Sequence, residues 1–507
     1  MAANGNFYVT TSIPYVNAEP HLGHALELVQ ADVLARHRRL RGQPVRFLTG
    51  TDDHALKNVA AARAAGLAVR EFVDANAARF RGLREPLGLS FDDFIQTSAD
   101  ARHRAGVERL WRQCAGRGDF YLRHYQGLYC PGCEQFYAPA ELDGGVCAEH
   151  RVAPEPVTEE NWFFRLSRYT GDLLRVLRSG RVRVEPATRR NEVLAFIRAG
   201  LTDFSVSRPA ARAGGWGIPV PGDPGQFIYV WWDALANYIT ALGYGGDERP
   251  YRDWWVNSGE RVHVIGKGVT RFHAVYWLGL LLSAGQPLPS AICVHEYLSA
   301  GGAKLSKSAG NAVSPYDLAG RFGTDAVRWW LLRDVARLGD TDFTAGRLVT
   351  RANSDLANGV GNLQNRTLTL VHRYREGRIP GPAGAVPLGT ELVAACQALP
   401  RLIDDALAGF DFRAATGAIW SVVQAGNRLV ETERPWELAG REKQGDDAAA
   451  TRLGGLLGVL AEACRVLAAE LQPFIPAGAS ALSGQFRTHR GAIAAPVPVF
   501  ARLASPD

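Results

Sequence analysis

Asn6-Phe7-Tyr8-Val9-Thr10, Pro14-Tyr15-Val16-Asn17 and Pro20-His21-Leu22-Gly23-His24 follow one another near the start of the chain, and their order decides the fold. The first stretch is β-branched and aromatic and reads as a strand; the second carries turn chemistry. The third opens a helix, because proline is favoured at a first helical turn. Leu22, Leu26, Val29 and Val33 recur at i, i+4, i+7 and i+11, which gives that helix one buried face, and Gly42 supplies a C-terminal stop. His21 and His24 lie i,i+3 at the positive end of the helix with a glycine between them. Backbone N–H groups point outward there and stabilise a phosphate. Taken alone, H-x-G-H reads first as a polar helix start with solvated imidazoles, and the lysine motif downstream is what turns it toward a phosphate site.

Outward from this stretch the rhythm continues. Val45–Thr49 reads as a second strand leading into Gly50-Thr51-Asp52-Asp53-His54, and two helical stretches follow through Leu87. Strands alternating with helices imply a parallel sheet and an α/β fold. Ligands bind beyond the carboxyl ends of such strands, so the His21/His24 and Asp52 loops are expected to face one pocket. Asp52 and Asp53 read as a solvated turn or as a site for a substrate cation. Phe227–Tyr238 reads as core or as the wall of an apolar pocket, with Tyr238 contributing a hydroxyl. Val262–Gly266, a helix from Arg271 through Leu282, and the strand Ala291–His295 lead through Gly301-Gly302 into Lys304-Leu305-Ser306-Lys307-Ser308. Two lysines at i,i+3 on such a loop form a movable anion clamp. After Ala345 helical patterns run to about Pro476 and read as a bundle.

The chain has 507 residues and a formal charge of +6, which permits nucleic-acid contact through local patches without arguing for it. Met1–Asn6 carry no secretory pattern, and the longest apolar run, around Ala274–Ala284, falls short of the roughly 20 residues a membrane span needs. These features predict a soluble, cytoplasmic protein with no membrane partner. Three of the seven cysteines cluster: Cys130-Pro-Gly-Cys133 is followed by Cys147-Ala-Glu-His150. Three thiolates and one imidazole in two x2-spaced knuckles match tetrahedral zinc, and with all four positions filled by protein the ion is structural. Cys114, Cys293, Cys396 and Cys464 sit in apolar surroundings and read as small buried hydrophobes. Asn161–Phe204 reads as helices and connecting turns.

An H-x-G-H, a zinc knuckle, a K-x-S-K-S loop and a helical tail, in that order, resemble the class I aminoacyl-tRNA synthetases and the methionyl enzymes in particular. Tyr229-Val-Trp-Trp-Asp-Ala234, Arg271-Phe-His-Ala-Val-Tyr-Trp277 and Arg434-Pro-Trp-Glu-Leu438 are similar to further stretches of that family. The resemblance implies a Rossmann-type catalytic domain in two halves, 1–117 and 216–298. A connective insertion would occupy 118–215, with its knuckle at about 125–156. The lysine loop and stem-contact region would follow at 299–348, and an all-α anticodon-binding domain at 349–507. It further implies activation of methionine with ATP and Mg²⁺, then transfer to initiator and elongator methionine tRNAs. His21, Gly23, His24, Lys304, Ser306 and Lys307 would bind ATP, with His21, His24, Lys304 and Lys307 catalytic. Ile13, Tyr15, Asp52, Trp231, Ala234, Leu235, Tyr238 and His273 would bind methionine, Asp52 through its α-ammonium and Tyr238 or His273 through a weak hydrogen bond to sulfur. Asn362, Arg366 and Trp436 would read the anticodon, and Cys130, Cys133, Cys147 and His150 would hold zinc.

The chain departs from the family's usual pattern at Ala55, Gly268 and Glu296, where glycine, an acid and glycine are common. A divergent or second-copy enzyme with altered inhibitor sensitivity, or one diverting the activated amino acid outside translation, is therefore the alternative expectation. No appended domain follows the bundle, which predicts a monomer.

Overall fold

The computed structural model describes residues 5–130, 135–137, 139–148, 151–304, 313–381 and 388–505. The chain divides into two compact units: residues 1–20, 41–84 and 90–295 form the first, and residues 21–40, 85–89 and 296–507 the second.

The first unit is built on a six-stranded parallel sheet. Its strands are β1 (Phe7–Thr11), β2 (Val45–Thr51), β3 (Asp93–Gln96), then β7 (Arg183–Glu185), β8 (Glu260–Gly266) and β9 (Ala291–His295), in spatial order β3-β2-β1-β8-β9-β7. Every neighbouring pair is parallel. Strand order reverses between β1 and β8, so the segments leaving β1, β2 and β8 open a crevice at the sheet's carboxyl edge. β1 is buried at all five positions, as a strand covered on both faces must be.

Between β3 and β7 stands a second, antiparallel sheet: β4 (Phe120–Cys130) pairs with β6 (Glu155–Phe164) over ten positions, and the short β5 (Gln135–Tyr137) flanks β4. Two expectations change here. Asn161 lies within β6 and not at the start of a helical stretch: it is fully buried, as Val157 and Phe163 on the same face are buried, while Glu155 and Glu160 are exposed. β7, expected inside the insertion, belongs to the parallel sheet, where Val184 is buried beside Ile292 of β9.

In the second unit α1 (Leu22–Leu40) joins a set of helices that includes Thr324–Arg333, Asn362–Arg375, Thr390–Ala408, Phe412–Glu433, Pro435–Lys443 and Asp447–Glu470. That α1 is grouped here, although expected in the first catalytic half, follows from one fully buried ion pair. Arg328 contacts Asp32 of α1 at 2.8 Å, both side chains being 0% exposed. The same guanidinium donates to the carbonyls of Leu87, Pro473 and Phe474 at 2.8–2.9 Å. With four acceptors its desolvation is compensated; a buried charge lacking such partners would not be tolerated. No helix among the described residues is long and apolar enough to cross a membrane.

Candidate active site

In the second unit the geometry of His21 and His24 is set within four residues. The His21 N–H donates to Nδ1 of His24 at 3.1 Å, and the Gly23 N–H donates to Nδ1 of His21 at 3.1 Å. Each Nδ1 is therefore an acceptor, so each neutral imidazole carries its proton on Nε2. The two rings stack, centroids 3.8 Å apart and planes 23° from parallel. Gly23 permits this: a Cβ there would stand 2.9 Å from Cε1 of His21. The Leu22 N–H donates to the carbonyl of Val313, the first described residue after the lysine loop. Lys304 ends a hairpin whose two-residue turn, Gly301-Gly302, has φ of 62° and 77°, the left-handed pair that a tight right-twisted hairpin demands. Asp342 braces this hairpin, accepting from Ser299 Oγ at 2.8 Å and from the Gly302 N–H at 3.0 Å. Those bonds, Gly302's first, hold the exposed Asp342 carboxyl below the usual carboxylate range. Ser306 and Lys307 lie outside the described residues, as does the side chain of Lys304.

The expected amino-acid pocket lies within the first unit. Tyr15, just past β1, forms a parallel bridge with Asp52 at the end of β2, and the Asp52 N–H donates to Pro14 O at 2.9 Å. Asp52 and Asp53 are both buried, with different partners. Asp53 accepts from Ser98 Oγ at 2.6 Å, and burial raises its carboxyl above the usual range against that bond. It is held as a structural group by Ser98, whereas Asp52 Oδ1 accepts from the His54 N–H at 3.3 Å. Helices α2 (Leu56–Ala64), α3 (Val69–Gly82) and α4 (Ala101–Gly116) come earlier in the chain; Trp231, Asp233, Ala234, Leu235 and Tyr238 all stand on one later helix, here called α5 (Val230–Thr240). Trp231 stacks on Phe272 with ring centroids 3.7 Å apart and lies 5.9 Å from the Tyr15 ring. Ile13 and Trp231 are partly buried against the same core.

His273 and Tyr238 meet at 2.6 Å between Nε2 and the hydroxyl, while His273 Nδ1 lies 2.9 Å from Val269 O. A carbonyl only accepts, so Nδ1 holds the proton and Nε2 of neutral imidazole accepts from Tyr238. The phenolic proton is thus directed to His273. Behind it His263 bridges Thr10 Oγ1 (2.7 Å) and the Trp277 indole (3.2 Å). Complete burial and then the neighbouring His273 push its basicity well below that of an ordinary histidine, so it stays neutral.

One group absent from the expected set is central. Asp233, fully buried, lies 3.0 Å from Nδ1 of His54 and 3.6 Å from Nε2 of His103. Burial raises its carboxyl, but His54 and His103 together outweigh this and hold it below the usual range. In sequence Asp233 stood out only as a polar member of an aromatic stretch, its partners 130 and 179 residues away being invisible there.

Asn362 and Arg366 share one turn of a helix in the second unit, and the Arg366 guanidinium lies 5.5 Å over the ring of Trp436, which is 45% exposed. An open indole capped by arginine is unusual for a packed tryptophan. In the insertion Cys130 and Cys147 are both fully buried, Cys147 Sγ stands 3.6 Å from the Tyr137 hydroxyl, and the Arg151 N–H turns back onto Cys147 O at 2.7 Å. Cys133 and His150, the other two expected ligands, lie outside the described residues.

The family model for class I tRNA synthetases (M) matches residues 7–153 and 137–368. The chain belongs to the class I methionyl-tRNA synthetases. It is 40% identical over 472 residues to the methionine–tRNA ligase of Caldanaerobacter subterraneus, covering 93% of this chain and 72% of that one. Over 482 residues it is 40% identical to the Brucella suis ligase, covering 94% of this chain and 90% of the relative. Among solved structures, Mycobacterium tuberculosis methionyl-tRNA synthetase in complex with methionyl-adenylate superposes with a TM-score of 0.92 at 37% identity, over 98% of this chain and 99% of that one.

Proposed function

We propose that this chain is a methionine–tRNA ligase. Methionine's carboxylate attacks the α-phosphorus of ATP and pyrophosphate leaves; the terminal ribose hydroxyl of tRNA then displaces AMP from the adenylate. Mg²⁺ enters with ATP as part of the substrate. The observation that carries the reading is the pair of imidazoles locked as Nε2–H donors at a helix start, in a chain of this family. Donors fixed in advance stabilise charge on a transferring phosphate without reorganising. Lys304 and Lys307 would close on the pyrophosphate, with Gly23 and Ser306 beside the phosphates. Asp52 would take the α-ammonium, while Ile13, Tyr15, Trp231, Ala234, Leu235, Tyr238 and His273 enclose the thioether. With the Tyr238 proton engaged by His273, selection rests on shape, and one methylene is worth only ~1–3 kcal/mol.

Asn362, Arg366 and Trp436 would receive the anticodon of initiator and elongator methionine tRNAs, the indole stacking on an unpaired base. Cys130 and Cys147, with Cys133 and His150, would hold a structural zinc that ties the knuckle together. Removing zinc with a chelator is expected to lower the temperature of the first unfolding transition, and readdition to restore it. Glu296, 1% exposed where the family commonly has glycine, supports a divergent member with altered inhibitor response; equal inhibition beside a commoner methionyl enzyme would remove that second reading. The chain is proposed to be a cytoplasmic monomer, which light scattering tests.

ATP–pyrophosphate exchange across the twenty amino acids is the decisive experiment. Methionine alone should support exchange, and a methionine tRNA should then be charged. Exchange with none, or with another amino acid, would overturn the reading.

A further inference from the structure

Two parts of the first unit grip opposite ends of the amino acid in the proposed reading. The loop after β2 carries Asp52, for the α-ammonium, and α5 carries Trp231, Ala234, Leu235 and Tyr238, for the side chain. Their spacing has to be held to a fraction of an ångström, because selection by length fails if the two ends drift apart.

A continuous buried tie joins them. The His54 N–H donates to Asp52 Oδ1 at 3.3 Å, so the His54 backbone braces the carboxylate that would meet the ammonium. The His54 ring, only 9% exposed, contacts Asp233 Oδ2 at 3.0 Å. Asp233 is in the first turn of α5, between Trp231 and Ala234. His103, from α4, approaches the second Asp233 oxygen at 3.6 Å and bonds Thr240 Oγ1, at the far end of α5, at 2.8 Å. α5 is therefore pinned at both ends, and its N-terminal pin is the Asp52 loop itself. Asn58 closes the other side, donating to the carbonyls of both Asp52 and Asp53 at 3.0 and 2.9 Å.

We infer that Asp233, acting through His54, is the positioning residue that fixes the distance between the ammonium and side-chain subsites, and so sets which side-chain length the enzyme accepts. The inference rests on the proposed methionine reading. Asp233 makes none of the pocket's wall itself: its carboxylate faces His54 and His103. Its charge matters because the carboxylate accepts from His54 Nδ1, a proton that a neutral amide would hold more weakly and at an altered angle.

The test compares Asp233→Asn, His54→Gln and the double variant in ATP–pyrophosphate exchange with methionine and with ethionine, which is one methylene longer. Asp233→Asn is expected to raise the methionine KM on the order of tenfold, with the ATP KM unchanged, since a misplacement below 1 Å suffices for such a loss. The preference for methionine over ethionine, ordinarily about 10–200-fold for one methylene, should narrow by about fivefold or more. His54→Gln should act in the same direction, and the double variant should be no worse than the stronger single one, as expected for two ends of one tie. His54→Gln also carries the test if Asp233→Asn does not fold. An unchanged methionine KM and preference, or a parallel fall in kcat and rise of both KM values with the melting temperature, would overturn the inference. Failure of the underlying reading looks different: wild-type enzyme would not exchange with methionine, or Asp52→Asn would leave the methionine KM untouched. In the first of these the tie is still scored, on the KM of whichever amino acid supports exchange.

Discussion

The two histidine systems of this chain are built on opposite plans. In the second unit His21 and His24 are oriented by backbone N–H groups two and three residues away, so the motif carries its own geometry. In the first unit four histidines depend on distant partners: His54 on Asp233, His103 on Thr240, His263 on Thr10, and His273 on Tyr238 in addition to the nearby Val269 carbonyl. A locally determined device survives wherever its few residues are kept. A distributed one fails when any of several separated positions changes, and it can be retuned from many places.

The largest test of this contrast is the local pair itself. His21→Ala or His24→Ala is expected to slow adenylate formation on the order of 10²-fold or more while leaving the methionine KM nearly unchanged, read by rapid-quench measurement. The opposite split would move the imidazoles out of phosphate stabilisation. Gly23→Ala breaks the same device while leaving both imidazoles in place. Its new Cβ would meet the His21 ring at 2.9 Å, so a loss on the order of tenfold in rate with an unaltered melting temperature is expected. A normal rate would show that the stacked geometry is dispensable.

On the distributed side, Tyr238→Phe leaves His273 Nε2 without its buried donor, which should cost about 1–3 kcal/mol in unfolding free energy. Denaturant titration reads this, and a loss below about 0.5 kcal/mol would mean that water replaces the hydroxyl. The smallest effect is in pH. His263 has its basicity depressed in the fold, so on acidification the unfolded chain binds a proton that the native chain refuses. Stability should be full above the ordinary histidine pKa of about 6.5 and decline as pH falls below it. His263→Gln should flatten the melting-temperature profile between about pH 7 and pH 5; an unchanged profile would assign the acid sensitivity to other groups.

The same contrast explains what could be read from the chain before its structure. The parallel sheet, the H-x-G-H helix and the helical tail rest on spacing within a few residues, and those were legible. β6 was misread because Glu159 and Asn161 are polar yet turned inward, Glu159 onto Arg212 at 3.2 Å, a partner far along the chain, and β7 because three residues give no periodicity. Asp52 could be picked out only with the family in view, and its distinction from Asp53 came from Ser98, which lies far along the chain. Asp233 was out of reach: nothing beside it in sequence says that its counter-charges come from α2's approach and from α4.

Arg328 sets a clock for biosynthesis. Asp32 is translated hundreds of residues before the guanidinium that neutralises it, and that guanidinium waits again for the carbonyls of Pro473 and Phe474. At about 5–20 residues per second the delay is on the order of tens of seconds, during which the helix bearing His21 and His24 has a carboxylate it cannot yet bury. The signature helix thus leaves the ribosome well before the residues that complete its burial.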